Sequence, residues 1–173
     1  MPRKKPRRRI AVERHSDNEK RRLREPPPNE EFRRSLVARV RFEGWGKHKL
    51  SSRAFGLDPA PSGEDDTYCD GHANFSPQDL GRIPSLLQRG IWAGLIGQND
   101  SQGDPTLIWT VDDNGWVYEG RITVPSQALY HDYPVLPSDA FGKIVVARYT
   151  HWVYVQGDDN LVYTLQNALE RYR

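Results

Sequence analysis

Alternation of apolar and polar side chains is clearest over residues 107–123, where two runs rich in β-branched and aromatic residues flank Asn114-Gly115. An Asn-Gly pair between such runs predicts a hairpin closed by a two-residue turn. Numbering outward from that turn pairs Asp113 with Trp116, Val111 with Tyr118, Trp109 with Gly120 and Leu107 with Ile122 on one apolar face. Asp112, Thr110, Ile108, Val117, Glu119, Arg121 and Thr123 then share the other face. A carboxylate and a guanidinium two residues apart would therefore point off the core together.

Elsewhere the pattern is less regular. Residues 32–43 alternate from Ser35, with Leu36, Ala38, Val40 and Phe42 opposite Val37, Arg39, Arg41 and Glu43. This favours a strand with a basic face, although Phe32, Leu36 and Val40 also fit a helical period near four. Residues 47–76 have no period and are rich in Pro, Gly, Ser and Asp, which predicts a long loop of the kind that usually carries function or motion. Ser76 as N-cap, Pro77 at the first position and Asp79 in the first turn open a helix that Pro84 should divide into 77–82 and 85–96. Leu86, Leu87, Ile91, Trp92, Leu95 and Ile96 form its stripe, and Gly97 is the expected stop. After a loop over 125–142, residues 144–149 and 152–156 read as strands or one bent strand. A turn at 157–160, a strand at 161–165 and a short helix at 166–172 complete the chain. The expected fold class is α+β: helices followed by a four- to five-stranded antiparallel meander.

Composition divides the chain in two. Residues 1–31 hold 11 Lys/Arg, 6 Asp/Glu, the triplet Pro26-Pro27-Pro28 and little that could form a core, so they are expected to be a disordered basic arm. Residues 32–173 are expected to be a single domain. Charge is still more asymmetric: residues 1–53 carry 18 basic against 7 acidic groups, a net +11, and residues 54–173 carry 7 against 16, a net −9. Phosphate binding draws most of its non-specific affinity from cations, so nucleic acid, RNA above all, would have to be met through residues 1–53. The same arm could instead lie against the acidic body. A single cysteine, Cys69, excludes an internal disulfide framework, and no apolar run approaches the 18 residues of a membrane span. The N-terminus lacks the apolar stretch of a signal peptide, so the expectation is a cytoplasmic protein of bacterial type, or one delivered to a target cell by a dedicated system.

Four groups of residues could carry chemistry. Glu119 could accept a 2′-hydroxyl proton, Arg121 clamp a phosphate, and His131 or His151 protonate a leaving oxygen. The alternative for this group is a solvated surface pair worth under about 1 kcal/mol. Tyr130 and Tyr133 flank His131 and Asp132 and could stack on a base, or else pin a loop, with Asp132 fixing His131. Asp66, Cys69, Asp70 and His72 lie close in sequence, but one cysteine does not provide a structural zinc set, and no metal or cofactor is expected. Finally, Arg7, Arg8 and Arg9 with Lys47 and Lys49, interleaved with Trp45 and His48, suit a single-stranded nucleic acid.

Helices followed by an antiparallel sheet with catalytic residues on its face is similar to the microbial, barnase-type ribonuclease fold shared by many bacterial toxin tails. The resemblance covers residues 77–165 as architecture and rests on no specific motif. It implies a Glu on a central strand, an Arg on the next and a His in a late loop, which Glu119, Arg148 and His151 match in order. The acidic body departs from that pattern. The leading expectation is an RNA-binding or RNA-cleaving protein, in the latter case a metal-independent endoribonuclease of toxin type. The alternatives are a non-enzymatic module that meets a protein partner on an exposed sheet face, and a DNA-associated accessory protein that uses only the arm.

Overall fold

The computed structural model describes residues 19–61, 63 and 66–173. Its α+β architecture is a four-stranded mixed sheet with helices on both faces. Three strands form an antiparallel meander, β4 (Leu107–Val111), β5 (Val117–Val124) and β6 (Leu129–Pro134). The two-residue β1 (Arg41–Phe42) joins β6 in parallel, which gives the order β1-β6-β5-β4. The sheet is thus mixed instead of a pure meander. A minor ribbon pairs β2 (Asp100–Ser101) with β3 (Asp104–Pro105).

The hairpin forms where the pattern places it, but its register is shifted by one residue. Trp109 pairs with Glu119 and Leu107 with Arg121. The connection is a three-residue loop, Asp113-Asn114-Gly115, closed by Asp112 N–H on the Trp116 carbonyl at 2.9 Å. Asp112 drives this choice, because its carboxylate accepts from both Asn114 N–H (2.9 Å) and Trp116 N–H (2.8 Å). Gly115 takes the left-handed conformation at φ +78° that ends such a loop. A one-residue slip exchanges the faces of an entire strand, so Glu119 faces the core with Trp109 and not away from it.

Three further expectations are corrected. Residues 32–43 are mainly helical: α1 (Glu30–Arg39) starts at Asn29, whose side chain accepts from Phe32 N–H at 2.9 Å. The period-four set Phe32, Leu36 and Val40 prevails over the alternation, and Leu36 is fully buried. Residues 144–165 are not strands but the helical hairpin α4 (Ala140–Gln156) and α5 (Asp159–Arg171), capped at their starts by Asp139 and Asp158 and separated by Gly157. Their β-branched and aromatic content misleads, because Phe141, Val145, Tyr149 and Val153 recur every four residues and bury together. Residues 129–134, expected within a loop, form the interior strand β6. The divided helix is closer to expectation: after the one-turn α2 (Cys69–His72), a 3₁₀ segment, Pro77–Arg82, leads into α3 (Ile83–Trp92), with Pro84 in its first turn. Ser76 N–H and hydroxyl both donate to Asp79 at 2.9 and 2.7 Å.

The layers follow from the alternation. Leu107, Trp109, Val111 and Val117 pack against α4 and α5. Ile108, Tyr118 and Tyr130, on the opposite face, pack with Leu36, Ile83, Leu87 and Ile91 of α1 and α3. β4 is buried along its length and β5 as far as Gly120, so the broad exposed sheet face expected for a partner is not present among the described residues. Part of the expected arm belongs to the body. Leu23 is buried and bridges to Gly97, Arg24 N–H donates to the Ile96 carbonyl at 2.8 Å, and Arg21 is 3% exposed. Arg7, Arg8 and Arg9 lie outside the described residues.

Candidate functional site

Antiparallel pairing of β5 with β6 sets Glu119 opposite Tyr133 and Arg121 opposite His131. Directly opposed residues share a face, so Glu119, Arg121, Thr123, His131 and Tyr133 all point the same way. The slip in the hairpin changes what covers that face but not which of these residues share it. Residues 140–171 cover its Val111–Val117 end. The other end is met by residues 45–49. β1 runs parallel to β6, so the chain that follows it continues alongside His131 and Tyr133. Asp70 ties this segment down by accepting from Leu50 and Ser51 N–H at 2.8 and 2.9 Å. Gly46 permits the tight course: a Cβ there would stand 2.0 Å from the Asp58 carbonyl oxygen.

Glu119 is fully buried and saturated. Its Oε2 accepts from Arg21 Nε at 2.6 Å and Trp109 Nε1 at 3.0 Å. Its Oε1 accepts from Tyr133 OH and, at 3.4 Å, from Arg121 Nη2. Arg21 also reaches Asp139 at 2.7 Å and lies 5.0 Å from the Phe141 ring centroid. Burial alone pushes the Glu119 carboxyl up, but the Arg21 charge and the hydrogen bonds from Tyr133, Trp109 and Arg21 outweigh it and hold the group below the ordinary carboxylate range. An ionised carboxylate with four donors has little basicity to offer. Glu119 therefore anchors Tyr133 and Arg121 instead of abstracting a proton.

Beyond it sits a cluster of rings. His48 and His131 stack nearly parallel, centroids 5.7 Å apart at 8°. Tyr133 lies 4.6 Å from His48, and Trp45 stands edge-on to both imidazoles at 4.6 Å from His131 and 5.6 Å from His48. His131 Nδ1 is 2.8 Å from Thr123 Oγ1, and His48 Nδ1 is 3.3 Å from the Thr67 carbonyl. Both imidazoles are depressed to about 4. For His131 burial is the main cause, followed by the charges of His48, Arg121, Lys47 and Lys49. For His48 burial again leads, and the Thr67 carbonyl and Asp66 offset it only in part. Two neutral imidazoles therefore face each other beside the half-exposed Arg121 guanidinium. Lys47, 3.5 Å from Asp66, is 5.4 Å from the Trp45 ring centroid.

Glu119, Arg121, His131, Tyr133 and, beside Trp45, Lys47 of the expected site thus come together; Tyr130, Lys49 and His151 do not, and Arg7, Arg8 and Arg9 lie outside the described residues. Tyr130 points to the opposite face, buried, its hydroxyl donating to the Pro105 carbonyl at 2.6 Å, so it has no ring face to offer a base. Asp132 also points that way, because neighbours on a strand alternate; it cannot fix His131, and burial pushes its carboxyl up to about 6. Lys49 is buried against Phe55 and Phe75. His151 is exposed on α4, two residues and about 200° from the buried Tyr149. Arg148 is on the same helix, bonded to Glu25 and to the Arg24 and Gly94 carbonyls, so Arg148 and His151 occupy neither a strand nor a late loop. Cys69 is buried, its thiol pushed up to about 12 mainly by that burial. Among the described residues no group of three His, Cys, Asp or Glu converges to hold a metal. Arg21 is the member that sequence did not single out, and His48 was named only in the nucleic-acid-binding run, not beside His131. His48 sat in an interleaved run with Trp45, whereas Arg21 was one cation among many.

Comparison with family models, with curated proteins and with solved structures finds no match, so the cluster is interpreted from its own chemistry.

Proposed function

We propose that the protein binds RNA at this cluster and cleaves it without a metal, by attack of the 2′-hydroxyl on the adjacent phosphodiester. The observation that carries the reading is the stacked His48–His131 pair beside Arg121. One neutral imidazole, His48, takes the 2′-hydroxyl proton as the O2′–P bond forms. The other, His131, gives a proton to O5′ as the P–O5′ bond breaks, leaving a 2′,3′-cyclic phosphate and a free 5′-hydroxyl. Arg121 balances the charge of the phosphorane. His131 acquires its proton when the bound phosphate brings a negative charge beside it. Relative to the expectation from sequence, His48 replaces Glu119 as the base.

The test is hydrolysis of a fluorogenic RNA dinucleotide in EDTA. His48→Gln and His131→Asn should each lower kcat about 100-fold or more. Circular dichroism and melting confirm that the variants remain folded. Cleavage unchanged in both folded variants refutes the reading.

A second reading, a protein-interaction module, has its own support. Tyr154 (70% exposed), Val155 and Tyr163 present apolar surface on the α4–α5 hairpin. It predicts no turnover of RNA, and a bound partner that Tyr154→Ser and Tyr163→Ser together release.

A further inference from the structure

Trp45 differs from the other members of the ring cluster in being 42% exposed, whereas His48 and His131 are each 5% exposed. Its backbone is extended, between Gly44 and Gly46, at the start of the segment that runs beside β6. Its ring is perpendicular to both imidazoles, at 87°. Among the described residues, Lys47 and Arg121 are cations beside the cluster that retain solvent exposure. Stacking on an aromatic ring needs an unpaired base, because a duplex already covers base faces with its own neighbours.

We infer that Trp45 is a base-stacking subsite that restricts the protein to single-stranded RNA. The base stacks on the exposed part of the indole, and the phosphate of the same nucleotide meets the edges of His48 and His131. Lys47 neutralises the next phosphate along the strand. Every base has a π face, so the subsite is tolerant of sequence and selective for strandedness. This deepens the acid–base reading and rests on it for the position of the phosphate.

The experiment uses the full chain and a fluorescein-labelled single-stranded oligodeoxyuridine, which lacks the 2′-hydroxyl and cannot be cleaved. Affinity is read by anisotropy. Trp45→Leu should weaken binding about tenfold, the loss expected for one stacked base. Trp45→Phe should stay within about twofold to threefold of the parent. A duplex probe should bind the parent and Trp45→Leu alike, through phosphates alone. Should Trp45→Leu fail to fold, an oligonucleotide with abasic positions tests the parent directly and should bind it about tenfold more weakly. Equal affinity of parent and Trp45→Leu for the single strand, or of the parent for the intact and abasic strands, overturns the inference. Cleavage reports separately. Trp45-dependent binding with no RNA hydrolysis retains the subsite and removes the acid–base assignment. Hydrolysis with no role for Trp45 does the reverse.

Discussion

Arg21 is the most deeply buried cation among the ion pairs of the described residues. It is 3% exposed and holds Glu119, 0% exposed, at 2.6 Å. Removing one partner of a buried pair leaves an uncompensated charge, which typically costs about 3–5 kcal/mol. Arg21→Met should therefore lower stability by about that amount in urea unfolding, and adding Glu119→Gln should restore part of the loss. Lys at position 21 should not substitute fully, because a point charge cannot span Glu119 and Asp139 as the guanidinium fork does. The pH dependence of stability is set by opposed groups. His48 and His131 stay neutral in the folded protein to about pH 4, while unfolded histidines protonate near 6.5. Their contribution is complete above about 6.5 and is lost as pH falls toward 4. Asp112 and Asp132 act with the other sign. Burial raises both to about 6 from 3.8, so their neutral forms add stability as pH falls through 6. Asp132→Asn removes one opposing group. Its stability, measured by urea unfolding at pH 7.0, 5.5 and 4.5, should decline more steeply than that of the parent. An equal or shallower decline would show that Asp132 ionises normally.

At the scale of elements, the hairpin shows what a local pattern can and cannot specify. Asn114-Gly115 located the reversal correctly. The choice between a two- and a three-residue loop rested on the Asp112 carboxylate, a local hydrogen bond that apolar alternation does not encode. Of the β5–β6 face only the β5 side was legible, because Glu119 and Arg121 fall two residues apart on one strand; His131 opposite Arg121 was not, since residues 125–142 read as a loop. The partners of that face were not legible either, because Arg21 is 98 residues from Glu119 in sequence and His48 is 83 from His131. The helices α4 and α5 were obscured for another reason: residues with high strand propensity are tolerated in a helix when every fourth one buries against the sheet. β6 was obscured by Pro134 and by the polar residues His131 and Asp132 on a mostly buried strand. Gly115 gives a direct check on the hairpin and its docking. A Cβ there would stand 2.4 Å from Ala168 N and 2.5 Å from Asn167 C in α5, at a φ of +78°. Gly115→Ala should cost at least the 1–2 kcal/mol of a left-handed alanine and more for the displaced helix. That appears as a melting temperature about 2–8 °C lower or more. An unchanged melting temperature would mean that α5 does not pack on the loop.

Over the whole molecule, the charge asymmetry resolves into pairs. Arg21 with Glu119 and Asp139, Arg24 with Asp100, Arg39 with Asp104 and Lys47 with Asp66 each join a cation from residues 1–53 to a carboxylate from residues 54–173. The basic lead-in is thus partly paired with the acidic body, and residues 1–18 lie outside the described residues. That segment carries 7 Lys/Arg. If it contributes only long-range attraction for RNA, its deletion leaves Arg21, Leu23 and the ring cluster in place. The chain lacking residues 1–18 should melt within about 2 °C of the parent and cleave a dinucleotide at the parental rate. Its affinity for a long single strand should fall. The slope of log K against log salt should become shallower, because each phosphate that the arm no longer neutralises removes about 0.7 from that slope for single strands. Deleting residues 1–24 removes Arg21 and Leu23 as well, and should lower stability as Arg21→Met does. Loss of dinucleotide cleavage on deleting residues 1–18 alone would place part of the arm inside the site. Retained affinity with an unchanged salt slope would assign all binding to residues 19–173.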